Sequence, residues 1–392
     1  MKFAVVTPRY GAAVVGGAEL AVRLLAEHLV LAGDDVEVFT TTALDADTWR
    51  AEMTEGTTPE EGVIVHRFAV ERGRAIDLDE RSSAVLRRWW VPNENEQWNW
   101  IDAQGPVSSA LNDAVRSADA DVLIASPYLY PCVARAVVSA RLPVLLNPAA
   151  HDEPPLRLPV FVDVFRAASG YAFYTNGERE VVEKRFGFVA SRPQRVVGLG
   201  VDPGDGDETQ ARDLLGLGDR PFVLVLGRVD RAKGSDLAFE FFKTYKQRRP
   251  GPLALVFAGP VVHRPAAHPD VIVVGRVDEA IKWGLLRGAV ALFSPSTYES
   301  FSFVVLEAWT AGTPAIVHAA CAATVEHAAA SGAGLAFDGY VSFEVTLDRL
   351  CSSPDLRAGL AECGRIYVDL GFRWPAVVER YRALAARVAA SR

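Results

Sequence analysis

The sequence predicts an α/β protein of two doubly wound, Rossmann-like halves, and three observations predict it. Short apolar runs alternate with amphipathic stretches along the chain, which is how a parallel sheet covered by helices is written. The alternation breaks once, at the polar, glycine-rich segment 202–220, and then starts again. At 392 residues the chain exceeds one ordinary core, so two or three domains are expected.

In the first half, KFAVVTP at the N-terminus reads as a strand. ELAVRLLAEHLVLAG places Leu20, Leu24, Leu25, His28 and Leu29 at helical spacing and stops on Gly33. DDVEVFTT and VIVHRF are further strands, and DVLIASP, PCVARAVVSA and PVLLNP form a strand-helix-strand unit. SGYAFYTN is a strand, GEREVVEKRFG a helix, and RVVGLGVDP a strand leading outward. The segment from Asp202 to Arg220, with Pro203, Gly204, Asp205, Gly206 and Asp207, reads as an interdomain linker with a short helix. The second half runs PFVLVLGRV, a helix near DLAFEFFKTYKQ, LALVFAG, VIVVGRV, a helix near EAIKWGLLRGA, VALFSPS, a helix at VVLEAWTAG, and TPAIVH. Helical character returns from Phe343 to the end. The expected domains are 1–200 and 201–370, with 371–392 a terminal helix, and two such halves place a ligand cleft between the carboxyl ends of two sheets.

Composition narrows the class. Half of the residues are hydrophobic and 23% are charged, which suits a soluble globular protein. A net charge of -8 argues against non-specific nucleic-acid binding, yet leaves room for a small anion held by a few local cations. The four cysteines, Cys132, Cys321, Cys351 and Cys363, lack CxxC spacing and read as small buried hydrophobes of a reducing compartment. The first apolar run is too short for a signal-peptide core. No window reaches the ~18 apolar residues that a membrane span needs. A cytoplasmic protein is expected, with peripheral attachment to the inner face of a membrane still compatible.

The chemistry concentrates in two segments. Strand FVLVLG runs into Gly227, Arg228, Val229, Asp230, Arg231, Ala232, Lys233 and Gly234, and then into a helix. A strand-to-helix junction of this kind stands at the carboxyl edge of a sheet, where ligands bind. There Arg228 and Lys233 can grip a diphosphate, the guanidinium as a fork and the ammonium as a point charge. Simple solvated charges are the alternative. The second segment carries Glu299 on a turn and Glu307 eight residues later in an apolar helix. Carboxylates so placed need partners, and they accept hydrogen bonds from sugar and ribose hydroxyls. Backbone N–H groups of Ser300, Phe301 and Ser302 stand at the start of that helix, a ready anion or hydroxyl site. For Glu307 the alternative is a helix glutamate paired with a lysine.

These two segments, GRVDRAKG and ESFSFVVLE, resemble the GRVxxxKG loop and the E-x7-E segment of glycosyltransferase family four, the retaining family of GT-B fold (glycosyl transferases group 1). The resemblance runs over nearly the whole chain. It implies two Rossmann-like domains facing a central cleft, with the donor held mainly by the C-terminal half. By it Gly227, Arg228 and Lys233 take the diphosphate, Glu299 the donor sugar's hydroxyls, Glu307 the ribose, and Gly275-Arg276-Val277 lies beside a base that is uracil or guanine. Where the family often has glycine after the ESF phenylalanine, this chain has Ser302, whose Cβ narrows the approach to the sugar.

The loop 10–19, YGAAVVGGAE, is similar to the same family's GGxE start, with Gly16 and Gly17 exposing helix N–H groups to a ligand. Its spacing is not GxGxxG, which counts against a dehydrogenase. His151 follows strand PVLLNPAA and matches a histidine that the family sets beside the donor sugar, with Asp152 next to it; a structural histidine is the alternative. Asp45-Ala46-Asp47 and Asp119-Ala120-Asp121 mimic metal-binding DxD pairs but lack neighbouring ligands and read as structural, the second as a helix cap. Trp89, Trp90, Trp98 and Trp100 crowd one segment, either an acceptor-side sugar platform or an insertion packing its own aromatics. Trp374 matches the family's terminal segment that crosses back to the first domain.

The function expected is transfer of a sugar from a UDP- or GDP-linked donor to a hydroxyl acceptor with retention, catalysed through Arg228, Lys233, Glu299 and His151. It serves cell-surface glycan, glycolipid or glycosylated-metabolite synthesis, with no cofactor and no metal required. The alternatives are a GT-B synthase or phosphorylase acting on a sugar phosphate, and a catalytically silent sugar-nucleotide-binding protein.

Overall fold

The computed structural model describes residues 1–14 and 16–391. Val15 of the N-terminal loop lies outside the described residues. The chain divides into one unit of Met1–Gly200 with Trp374–Arg392 and another of Val201–Arg373.

The first unit holds an eight-stranded sheet of β1 (Lys2–Val6), β2 (Asp35–Thr41), β3 (Gly56–Glu60), β4 (Val63–Phe68), β5 (Val122–Ala125), β6 (Val144–Leu146), β7 (Gly170–Phe173) and β8 (Gln194–Val196). Its order is β3-β4-β2-β1-β5-β6-β7-β8. Val5 of central β1 faces Val38 and Ile124 in parallel register. Helices cover both faces of the inner strands β5, β6 and β7, so VLIA, VLL and GYAF are buried along their whole length rather than alternating. β3, sequence GTTPE, is antiparallel to β4 at the edge. Its polar composition hid it from the sequence reading, and Pro59 is tolerated because an edge strand has one ladder fewer to satisfy.

Helix Gly17–Leu31 buries Ala21, Val22, Leu25, Ala26 and Leu29. This face is rotated from the expected leucine stripe, because Ala and Val let the helix lie close on the sheet. His28, on its flank, stacks on Trp374 with centroids 4.3 Å apart. Trp374 opens the terminal helix Trp374–Ala390, whose Val377, Val378, Tyr381, Leu384 and Val388 share one core with Val5, Ile124 and Leu145. Gly200 has no room for a side chain there: a Cβ would lie 2.2 Å from the Trp374 ring.

The second unit holds six strands, β9 (Phe222–Leu226), β10 (Ala254–Ala258), β11 (Val271–Gly275), β12 (Ala291–Ser294), β13 (Ala315–His318) and β14 (Gly334–Phe337), in order β11-β10-β9-β12-β13-β14. All five pairings are parallel. The strand order reverses beside β9, which makes the exit of that strand the switch point of the sheet. No helix among the described residues is long and apolar enough to cross a membrane.

The glycine-rich stretch expected as a linker is a packed part of the second unit. Gly204 and Gly206 press on Trp283 and its helix, where Cβ atoms would approach within 1.9 and 2.3 Å. Arg287 donates to the carbonyls of both glycines. Their lack of side chains serves close approach, not flexibility. Gly204→Ala is therefore expected to cost about 1–3 kcal/mol through overpacking against Trp283. Gly251→Ala, where a Cβ meets nothing within 4 Å, should stay within about 0.5 kcal/mol of wild type; thermal unfolding followed by circular dichroism measures both.

Candidate functional site

Glycines shape the carboxyl edge of the second sheet. β9, β10 and β11 leave through Gly227, Gly259 and Gly275, with φ of +124°, +140° and +85°. The Gly227 N–H donates to the Ala258 carbonyl at 2.9 Å, and the Gly259 N–H to the Gly275 carbonyl at 2.8 Å. A Cβ on Gly259 would lie 2.0 Å from the Gly227 carbonyl oxygen, so the two strand exits touch backbone to backbone. Around Gly227 and Gly275 the same construction meets no atom within 4 Å, so the edge is open there. Gly259 was not singled out from sequence, although FAGP after a strand carried the signal.

The cationic loop folds back onto the exit of β12. Gly234 has φ +77° and packs on the Pro295 carbonyl, which a Cβ would approach within 2.7 Å. This contact brings Lys233 to Glu299, with Nζ 2.7 Å from Oε1. Buried Asp230 organises the rest: its Oδ1 accepts the Lys233 backbone N–H at 2.8 Å, and its Oδ2 pairs with Arg228 Nε. Arg228 and Lys233 thus lie in one ion-paired cluster with Asp230 and Glu299. Residues that stand 66 positions apart in sequence meet through a single glycine contact.

Glu307, on helix Phe303–Ala311, has a lysine beside it, as the alternative reading described. Its Oε1 lies 2.8 Å from Lys282 Nζ, and Lys282 also meets Glu279 at 2.7 Å. Burial works against the Lys282 charge, yet the Glu307 and Glu279 carboxylates outweigh it and the ammonium pKa is raised. Arg276 and Val277 follow β11, exposed and half-buried.

Ser302 starts that helix in a left-handed conformation, φ +77° and ψ 80°. It is a residue with a Cβ where only glycine sits without strain. Its hydroxyl is buried with no hydrogen-bond partner. Phe301 before it packs edge-on to His327, centroids 4.9 Å apart, while His327 Nδ1 lies 2.9 Å from the Tyr367 hydroxyl. Burial pushes the His327 pKa down to about 4, so the ring is neutral. Ser300 lies on the turn between Glu299 and Phe301.

In the first unit, Gly16 is dictated by Glu19, whose Oε2 would lie 2.1 Å from a Cβ; Gly17 faces open space. Glu19 pairs with buried Arg9 at 2.5 Å. His151 follows β6 and lies 3.7 Å (Nε2) from Glu153 Oε2, which also accepts from the Tyr128 hydroxyl, at Oε1, over 2.9 Å. Burial raises the Glu153 pKa, against the pull of His151 and Tyr128. Beneath, Glu178 accepts the Ala150 and Tyr174 backbone N–H groups at 2.9 and 2.6 Å and fixes the histidine's loop. Burial lifts Glu178 to about 8 in spite of these donors. Sequence reasoning missed Glu178 and Glu153; Thr175-x-x-Glu178 was a readable capping signature, and the Thr175 hydroxyl does accept the Glu178 N–H at 3.1 Å. Asp152 turns outward toward Arg157, 3.7 Å away.

The tryptophan segment is mostly structural. Trp100 is buried and donates to Ser82 at 3.0 Å, Arg135 lies over Trp98, and Arg185 over Trp89. Trp90 alone of the four is well exposed. Asp45 accepts the Asp47 and Thr48 N–H groups at 2.7 Å. Asp121 does not cap a helix as expected: with Asp119 it holds Lys2 at the start of β1. Among the described residues, no three His, Cys, Asp or Glu side chains gather as a metal site.

Residues 207–366 match a family model described as glycosyl transferases group 1. A D-inositol 3-phosphate glycosyltransferase of Frankia alni is 33% identical over 48% of this chain and 52% of its own length. The chain spans about half the length of the curated relatives it matches. Sucrose-phosphate synthase of Thermosynechococcus elongatus superposes over 100% of both chains with TM-score 0.71 at 18% identity. Anabaena HepE in complex with UDP and glucose superposes over 98% of this chain and 99% of its own, with TM-score 0.69 at 15% identity. At such identities what is shared is the fold.

Ser302→Gly should raise the melting temperature, since it relieves a left-handed non-glycine residue worth about 1–2 kcal/mol and removes an unpartnered buried hydroxyl. His327 predicts a pH slope. Its folded pKa is depressed, so the stability it contributes is present above the ordinary 6.5 and is lost as pH falls toward about 4. The loss is on the order of 3 kcal/mol, and melts of His327→Gln across that window should be flatter than wild type.

Proposed function

We propose, from the match of residues 207–366 to the glycosyl transferases group 1 family model, that the chain is a retaining glycosyltransferase moving a sugar from a nucleoside diphosphate sugar to a hydroxyl acceptor. The observation that carries this reading is the 2.7 Å contact between Lys233 and Glu299 at the open exit of β9. It sets a diphosphate cation beside a sugar-hydroxyl acceptor in one place, as a single ligand bearing both groups demands.

Cleavage of the sugar–phosphate bond develops positive charge on the ring and negative charge on the departing diphosphate. Arg228 and Lys233 meet that negative charge without needing a metal ion. Preorganised donors of this kind are worth roughly 3 kcal/mol each in a site closed to water. Glu299 orients the sugar through its hydroxyls, and Glu307, held by Lys282, is left to receive the ribose. The acceptor attacks from the leaving-group side, and the diphosphate oxygen takes its proton.

The relatives' names favour one narrower reading, a phosphorylated acceptor. The cytoplasm, where nucleotide sugars are made, is the compartment proposed.

Thermal shift against UDP, GDP, ADP and their sugar conjugates tests the donor. A ligand at a hundred times its Kd adds about 2.7 kcal/mol, and no response from any nucleotide would sink the reading. Lys233→Ala is expected to lower kcat by about 10²–10³, read in a coupled assay of nucleoside diphosphate release; undiminished turnover removes Lys233 from the diphosphate.

A further inference from the structure

The donor-binding loop neutralises itself. Lys233 bonds Glu299 at 2.7 Å, and Arg228 pairs with Asp230. Asp230 is secured independently, because its second oxygen takes the Lys233 backbone N–H. Among the described residues the acid of the Lys233–Glu299 pair shows no such second tie: Glu299 sits on the loop after β12, four-fifths buried, with Lys233 as its ion-pair partner. A partly buried carboxylate that loses its cation without a replacement donor is penalised strongly.

We infer that Glu299 is an exchangeable counter-ion that makes this site select a sugar-linked nucleoside diphosphate over the free nucleoside diphosphate. The inference rests on the donor reading above and adds a direction to it. Any diphosphate draws Lys233 away and strands the carboxylate. A nucleotide sugar repairs the loss, because its hydroxyls donate to Glu299. A free nucleoside diphosphate repairs nothing. Its terminal phosphate carries additional negative charge at neutral pH, so it also faces Glu299 as a like charge. After transfer, the product therefore meets a returning competitor for Lys233, and the same residue that orients the donor hastens release of the spent nucleotide.

The exchange makes a prediction of opposite signs. In calorimetric titrations with UDP, UDP-glucose, GDP and GDP-mannose, Glu299→Gln should tighten the free diphosphate by about tenfold and weaken its sugar conjugate, because the variant keeps no charge to compete for Lys233 and accepts weaker hydrogen bonds from the sugar. A residue that merely braces the loop would weaken both together, and parallel weakening overturns the inference. A second measurement uses the unaltered protein. UDP should increase the affinity for free glucose, or GDP for free mannose, because it frees Glu299, and by linkage the sugar should increase nucleotide affinity by the same factor. Independent binding of the two overturns the inference even if the variant does not fold. Failure of every diphosphate and every conjugate to bind overturns the donor reading along with it, which separates the two failures.

Discussion

An aspartate buried under a cationic loop is costly unless both of its oxygens are used, and Asp230 uses both. One oxygen takes the Lys233 backbone N–H and the other takes Arg228. That constraint bends residues 228–233 into a compact turn, and Gly234 then lets the turn lie on the Pro295 carbonyl. Lys233 meets Glu299 as a consequence. Remove the buried acid, and two basic side chains at a strand end revert to the solvated charges that their composition alone suggests.

The same economy recurs in the first unit. Glu178 is buried beneath the loop that carries His151 and takes backbone N–H groups from both sides of it. Glu19 lies over Gly16 and neutralises buried Arg9. In each unit an acid folded inward fixes the backbone that carries a polar side chain at the sheet's carboxyl edge.

Much of the fold was readable because a parallel sheet leaves a strong mark: strands buried on both faces are apolar throughout. β5, β9 and β10 all follow that rule. The elements that escaped are those with a different physical basis. β3 is a polar edge strand, and β14, GLAF, is short and flanked by glycine-rich turns. The segment near Gly204 reads as a linker because glycine marks both a connection and a close contact, and only the position of Trp283 tells them apart. Glu307 illustrates the same limit, since Lys282 lies 25 residues away in sequence and its pairing is a property of how two helices pack.

By itself the sequence determined the α/β class, the two-fold repetition of the sheet pattern, and the residue types gathered at GRVDRAKG and ESFSFVVLE. Periodicity and local turn chemistry are encoded within a few residues, so they need no partner to be read. The tertiary structure decided which charges are spent on each other. It paired Lys233 with Glu299, Arg228 with Asp230 and Lys282 with Glu307, and it left Ser302 strained with its hydroxyl unmatched. Coulomb interactions depend on distances that chain connectivity does not specify. For that reason the loop could be recognised from sequence, while its state of charge balance could be read only from the fold.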